Sequence, residues 1–428
     1  MALELAEGAH FTSLRDAVYS KTISCPTGTF ELKQECTKLY YLNSRSGSPC
    51  ASFVDFTNPS DDDLRALSEA CDPATFGRAD QDVYDESYRK AGKLDTTHFA
   101  VNFHPGPAGL LNDIRDVLLE GCDLDTDVTA ELYKLNVYGP GSFFKAHKDT
   151  PRGPTMFASL VVVLPTKHEG GALMFRHEDQ EIKFDSALAL AGENKPAVAY
   201  AAFFSDVEHE VEEVRSGYRV TLTYNLYRTT SRRSGQTLPQ PVDGYVSRLA
   251  DTFRELLNDE TFLPDGGLVG FGLRHDYPMF TDNIDGLDLC DLYGSLKGSD
   301  ALLAQVCDRL RLESQIKIVY HSGDDESRYV LSADMLSDLE FHDSTINILL
   351  KQSRGQQLIS DPLWGEYYDD ESDWCTYVYW ATPVSPHMSK KVCVVYGNEP
   401  IAGIAYGRAC LIVKVKSYRR RVRMAAWV

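Results

Sequence analysis

No stretch of this 428-residue chain reaches the roughly 18 consecutive apolar residues that a membrane-spanning helix needs, so a helical membrane protein is not expected. The opening residues, MALELAEGAHFTSLRDAVYS, lack a basic segment followed by an apolar core, and do not read as a secretory leader. None of the ten cysteines forms a C-x-x-C pair, which speaks against the common zinc and redox motifs. Without a leader, reduced core thiols are expected rather than a disulfide framework, and the cytosol or nucleus is the expected compartment. Positive charge is scarce: 43 Lys and Arg stand against 63 Asp and Glu, a net charge of −20. Such a surface repels nucleic acid and anionic membranes, and neither is expected as a partner. There is no Walker loop, no G-x-G-x-x-G after a strand pattern and no G-x-S-x-G, so nucleotide binding and serine hydrolysis have no support. No internal repeat is visible.

The remaining composition is that of a globular protein, with 43% apolar and 25% charged residues. At roughly 100–200 residues per domain, two or three domains are expected. Acidic residues 61–63 followed by apolar spacing predict a helix over 61–71, and Leu110, Leu111, Ile114, Val117 and Leu118 predict another over 108–119. Short β-branched or aromatic runs then predict strands at 131–138, 157–164, 172–175, 197–204, 211–214 and 218–226. So many short strands argue for a jelly roll or barrel. The polar run 229–242 reads as a linker. Beyond it, helices are predicted at 246–257 and 300–310, and strands at 316–320 and 409–415. The organisation read from these patterns is a mixed N-terminal region (1–95) packing on the core, a core domain (96–228), the linker (229–242) and a mixed α/β C-terminal region (243–428). The fold class is mainly β with flanking helices (α+β).

One constellation carries chemistry. His147 and Asp149 are two residues apart, so an extended segment directs both to the same side. His209 follows in a second strand pattern, and Arg219 ten residues later. Two histidines and a carboxylate are the ligand set of non-haem iron(II) oxygenases, which leave coordination positions open. In 218–226 the period of two places Arg219, Thr221, Thr223 and Asn225 on one face. That face either meets water or lines a cavity where Arg219 grips a carboxylate with two parallel bonds and Thr221 adds a hydroxyl.

The segments ELYKLNVYGPGSFFKAHKDT, MFASLVVVLP, GGALMF and FFSDVEHEVEEVRSGYRVTLTYNL resemble the prolyl 4-hydroxylase-like branch of the iron(II)- and 2-oxoglutarate-dependent dioxygenases, and fungal hydroxylase-like proteins within it. The match covers 131–226, with a looser likeness over 83–104 and at VYGNEP near Tyr396. The resemblance implies a double-stranded β-helix (jelly-roll) core. It implies His147, Asp149 and His209 as iron ligands, and Arg219 as partner of the distal carboxylate of 2-oxoglutarate. Thr221 and Tyr138 are implied as secondary cosubstrate contacts. The expected cofactors are Fe(II), 2-oxoglutarate and O2, with ascorbate a further candidate. Halogenases of this kind lack the carboxylate found here at Asp149, so hydroxylation is expected. The substrate reading is a protein or peptide side chain, with a small natural product as the alternative. A protein that binds iron and 2-oxoglutarate without turnover is the reading from another class.

Other features leave alternatives open. Gly139-Pro140-Gly141 reads as a hairpin turn or a loop over substrate, and Phe143, Phe144 and Lys145 as packing or substrate contacts. Arg152 faces an anionic substrate or a neighbouring carboxylate. Gly170-Gly171 reads as a tight turn, and His104, His168 and His177 as surface residues. The acidic aromatic run 366–374 reads as a solvated loop or a basic-peptide site. The basic tail 414–423 reads as a charge-guarded edge strand or a phosphate contact.

Overall fold

The computed structural model describes residues 3–43, 50–78, 81–122, 125–153, 155–230, 244–277, 289–322, 328–335, 347, 349–350, 355–360, 375–395 and 401–425. The expected linker from 231 onward, the acidic run 366–374 and most of VYGNEP lie outside the described residues. Among the described residues, no helix is long and apolar enough to cross a membrane. The chain divides into two compact units: Met1–Thr22, Gly121–Asp123 and Gln236–Val428 form one, while Ile23–Glu120 and Leu124–Gly235 form the other. This differs from the division drawn from sequence, in which residues 1–95 go together. The apolar face of the Ala9–Tyr19 helix (Phe11, Leu14, Val18) shares a core with Tyr245, Leu249 and Phe253, whereas Thr27–Glu31 pairs as a strand with Ala197–Phe204.

The second of these units is built on two antiparallel sheets. The larger runs Thr27–Glu31, Ala197–Phe204, Met156–Val163, Arg219–Thr230, Thr126–Tyr138, Gly92–Asp95, Asp72–Pro73. The smaller runs Gln180–Phe184, Leu173–His177, Glu208–Val211, Phe143–His147, Arg89–Lys90. Ala197–Phe204 is buried at every position, which is why it reads as an unbroken apolar run. Arg219–Thr230 instead alternates. Val220, Leu222, Tyr224 and Leu226 are sealed in the core, contributing roughly 1.5–3 kcal/mol each by burial. The opposite face carries Arg219, Thr221, Thr223 and Asn225, and lines a cavity. A register shift between Leu132 and Lys134 bulges the neighbouring strand Thr126–Tyr138.

The helices Asp61–Ala70 and Leu110–Leu118 are among those that flank these sheets. Asp61–Ala70 starts at a capping box, Ser60 accepting from Asp63 N while Asp63 accepts from Ser60 N. Leu110–Leu118 buries Leu110, Leu111, Ile114 and Leu118, but Val117, expected on that face, is 39% exposed. The strand expected over 211–214 is a break between two strands, Glu208–Val211 and Val214–Gly217. Here Gly171 N donates to Glu213 O, and Gly170 and Gly171 both have positive φ.

In the other unit an eight-stranded sheet has Ile401–Val415 bonded to Glu313–Ser322 on one side and to Gly267–Gly272 on the other. Helices Ala9–Tyr19, Gly244–Asn258 and Gly298–Arg309 contribute to its core. The basic tail is therefore not an edge strand. Leu411–Val413 lie in an interior strand, and the arginines that follow belong to the helix Tyr418–Ala425. There Arg421 donates to the carbonyls of Asp259, Phe262, Leu263 and Lys416, so part of the positive run is spent on internal backbone carbonyls.

Candidate active site

His147 closes the strand Phe143–His147, and His209 stands directly opposite it on Glu208–Val211. The pairing brings the two imidazole centroids to 4.1 Å. Asp149 lies past the end of the strand. Its placement comes from its own N–H donating to Ser205 O at 3.1 Å, rather than from strand alternation. One ligand atom from each of His147, Asp149 and His209 falls within 4.8 Å of the others, and His209 Nε2 is 3.8 Å from Asp149 Oδ1.

The surroundings fix which atoms face inward. His147 Nδ1 is 2.8 Å from Lys145 O and His209 Nδ1 is 3.2 Å from Val207 O. A carbonyl only accepts, so both Nδ1 atoms carry the proton and both Nε2 atoms keep a free lone pair. Ser159 Oγ donates to Asp149 Oδ2 at 2.5 Å, leaving Oδ1 for a metal. Phe144 stacks on His147 at 3.6 Å, Phe203 lies 4.4 Å from His209, and the Arg89 guanidinium sits 4.3 Å over Phe144. Burial first, and His209 second, push His147 down to about 3, which keeps it neutral as a metal ligand must be. The donor set fits a divalent iron: nitrogen and oxygen atoms on one side, with outer partners that orient each ligand.

Arg219 is 1% exposed, and burial pushes it down to about 10. Its Nε and Nη2 have no hydrogen-bond partner. These two atoms are neighbours on one edge of the guanidinium plane, the edge that meets a carboxylate with parallel bonds. A buried cation without an anion is costly, and a carboxylate supplied by a ligand removes that cost. Tyr138 is opposite Arg219 in the sheet, its ring centroid 5.5 Å from the guanidinium carbon, and Thr221 Oγ donates to Asn136 O at 3.4 Å. Gly171 makes the approach of Arg219 feasible, because a Cβ there would lie 2.9 Å from Arg219 Cδ and 2.8 Å from Val214 Cγ2.

All six residues singled out from the sequence line one cavity of about 640 Å³: His147, Asp149, His209, Arg219, Thr221 and Tyr138. Several further residues belong to it. Arg89, 8% exposed, donates to Asn136 Oδ1 at 2.8 Å and to Thr75 O at 2.6 Å, and Asn136 Nδ2 donates to Thr223 Oγ1. Asn136 and Thr223 lie on polar strand faces that alternation reveals; Arg89 and Ser159 carry no local signal. Phe144 packs on a ligand. Among the described residues Arg152 meets no carboxylate; it lies over the Tyr133 ring at 4.2 Å and bonds its hydroxyl. His168 is not a surface residue. It is 8% exposed, its Nδ1 3.0 Å from Thr166 O, and burial followed by the charge of Arg219 keeps its pKa low. His104 is exposed and His177 half-buried. Gly139–Gly141 form a turn in which Gly141 N donates to Val214 O.

Residues 133–227 match the family model described as the 2OG-Fe(II) oxygenase superfamily. That span holds the metal-ligand cluster, Arg219 and most of the cavity wall. Among curated proteins, none matches this chain. Of solved structures, a Pseudomonas putida prolyl-4-hydroxylase is similar at 16% identity, covering 51% of this chain and 98% of its own, with a TM-score of 0.29. A 2OG-Fe(II) oxygenase family oxidoreductase from Burkholderia pseudomallei gives 15%, 54%, 97% and 0.25. A Trichoplax adhaerens prolyl hydroxylase, solved with a hypoxia inducible factor oxygen degradation domain peptide fragment, gives 18%, 38%, 74% and 0.26. At these scores the structural likenesses carry no argument, and the weight rests on the family match and the site.

Proposed function

We propose that this protein is an iron(II)- and 2-oxoglutarate-dependent hydroxylase on a jelly-roll core, oxidising a C–H bond of a protein or peptide side chain. The observation that carries the reading is the open edge of the buried Arg219 guanidinium in the same cavity as the His147, Asp149 and His209 cluster. His147 Nε2, His209 Nε2 and Asp149 Oδ1 would hold iron(II), and Arg219 with Thr221 would hold the distal carboxylate of 2-oxoglutarate.

Bound iron supplies the oxygen activation that couples decarboxylation of 2-oxoglutarate to succinate and carbon dioxide with insertion of one oxygen atom into the substrate C–H bond. The chain's part is positional. The Lys145 and Val207 carbonyls fix the imidazole tautomers, and Ser159 fixes the carboxylate. Phe144 and Phe203 pack against the imidazoles and hold the rings in place.

The test needs no substrate. Anaerobic addition of iron(II) and then 2-oxoglutarate to the purified protein should give the weak visible charge-transfer band of a chelated ketoacid. The band should be lost in His209→Ala and much weakened at equal ligand in Arg219→Ala. Absence of a band in folded parent protein overturns the assignment and leaves a binding protein without this cosubstrate.

A further inference from the structure

The cavity wall carries more positive charge than metal and cosubstrate binding uses. Besides Arg219, it presents Arg89, Lys134, Lys148 and Arg152. Among the described residues none of these four has a carboxylate within ion-pair distance, in a chain where acidic residues outnumber basic ones by 63 to 43. Two carboxylates line the same wall, Asp149 in the metal-ligand cluster and Asp82 at the exposed mouth.

Two of these cations, Lys134 and Arg152, lie at one ring. Tyr133 sits at the register shift between Leu132 and Lys134, and both Tyr133 and Lys134 line the cavity as a result. Lys134 Nζ is 4.5 Å from the Tyr133 ring centroid, and the Arg152 guanidinium is 4.2 Å from it while bonding the Tyr133 hydroxyl. Lys134 is four residues from Tyr138 on its strand, which at ~3.3 Å per residue is about 13 Å from the level of Arg219. A five-carbon diacid held by Arg219 and by the metal-ligand cluster is anchored at both ends and leaves this group uncommitted.

We infer that the substrate oxidised here is an anion, a carboxylate-bearing peptide in the first place, whose charge pairs with Lys134 and Arg152 beside the Tyr133 ring. The inference rests on the hydroxylase reading of the same cavity. Cations fixed on an aromatic face present a planar donor edge and a point charge together, and a carboxylate satisfies both. Arg152 is exposed at the mouth, where it meets an incoming chain, and the local excess of positive charge steers acidic ligands into an otherwise repelling surface.

The experiment uses the full chain loaded anaerobically with iron(II) and 2-oxoglutarate. Labelled peptide pools with a randomised centre are flanked by Asp, Asn or Lys, and their binding is read by fluorescence anisotropy. A mixture of free dicarboxylic acids serves as unlabelled competitor. The acidic pool should bind at least tenfold tighter than the Lys pool at about 50 mM salt, with the gap narrowing at about 500 mM. Arg152→Gln with Lys134→Gln should abolish the preference while leaving the charge-transfer titration with 2-oxoglutarate unchanged. Tighter binding of the free acids than of the acidic pool keeps the anion site and names a small molecule as its source. Equal binding of all pools, preference for Lys, no binding of any anion, or a preference that survives the double substitution overturns the inference. The charge-transfer band, read on the same samples, reports separately on the hydroxylase reading.

Discussion

Arg219 concentrates the electrostatics of the site in one side chain. Truncating one member of a buried charge pair costs about 2 kcal/mol or more, so Arg219→Ala should weaken 2-oxoglutarate roughly 30-fold or more in an anaerobic titration. Iron binding should change far less. Ser159→Ala removes the donor that orients Asp149, and a loss of about 10–100-fold in metal affinity is expected from competition against a chelating dye. His147 sets a pH dependence in the metal-free protein. Its folded-state pKa is depressed to about 3 from 6.5. The unfolded chain therefore takes up the proton first as pH falls. The stability tied to neutral His147 is intact above about pH 6.5 and is lost progressively toward about pH 3. Urea midpoints of apoprotein at about pH 7.5 and about pH 5 should differ, and the difference should shrink in His147→Gln.

At the scale of elements, Gly171 controls whether the strand Arg219–Thr230 can deliver its first residue to the cavity. A methyl group there meets Val214 Cγ2 and Arg219 Cδ at under 3 Å, at a φ of +71. Gly171→Ala should cost roughly 1–3 kcal/mol in a denaturant melt. It should also raise the 2-oxoglutarate midpoint, which distinguishes it from a purely structural lesion. The polar face of Arg219–Thr230 was legible in the sequence because a period of two survives any tertiary context. The spacing of His147 and Asp149 was legible because it is local, whereas His209, 60 residues on, joins them only through strand pairing. Other features were not legible. The break after Val211 depends on Gly170 and Gly171 closing against Glu213, some 40 residues away. His168 is buried because its strand pairs with Val214–Gly217 and because Ser186 lies over it, neither of which leaves a mark beside it in the sequence. Arg89 reaches the site only through strand pairing with Phe143 and Phe144. The basic tail misled because alternation in 411–415 does not say whether the strand has one neighbour or two.

At the scale of the whole molecule, the division into units sets where the chain can be cut. The Ala9–Tyr19 helix buries Phe11, Leu14 and Val18 in the same core as the Gly244–Asn258 helix, and Tyr245 donates to Val18 O. A fragment of residues 23–235 should fold and bind 2-oxoglutarate with iron. A fragment of residues 1–235 exposes that helical face and should aggregate more at equal concentration, as read by light scattering. Loss of folding in the 23–235 fragment would show instead that the two units stabilise each other.

That division also has a consequence in time. Residues 1–22 leave the ribosome well before the residues after 236 that complete their core. At ~5–20 residues per second, the intervening synthesis separates the helix from its partners by roughly 10–40 s. The unit holding His147, Asp149 and His209 can close within that interval. The amphipathic helix Ala9–Tyr19 then waits for a sheet still being translated, a natural client for a chaperone that shields apolar faces.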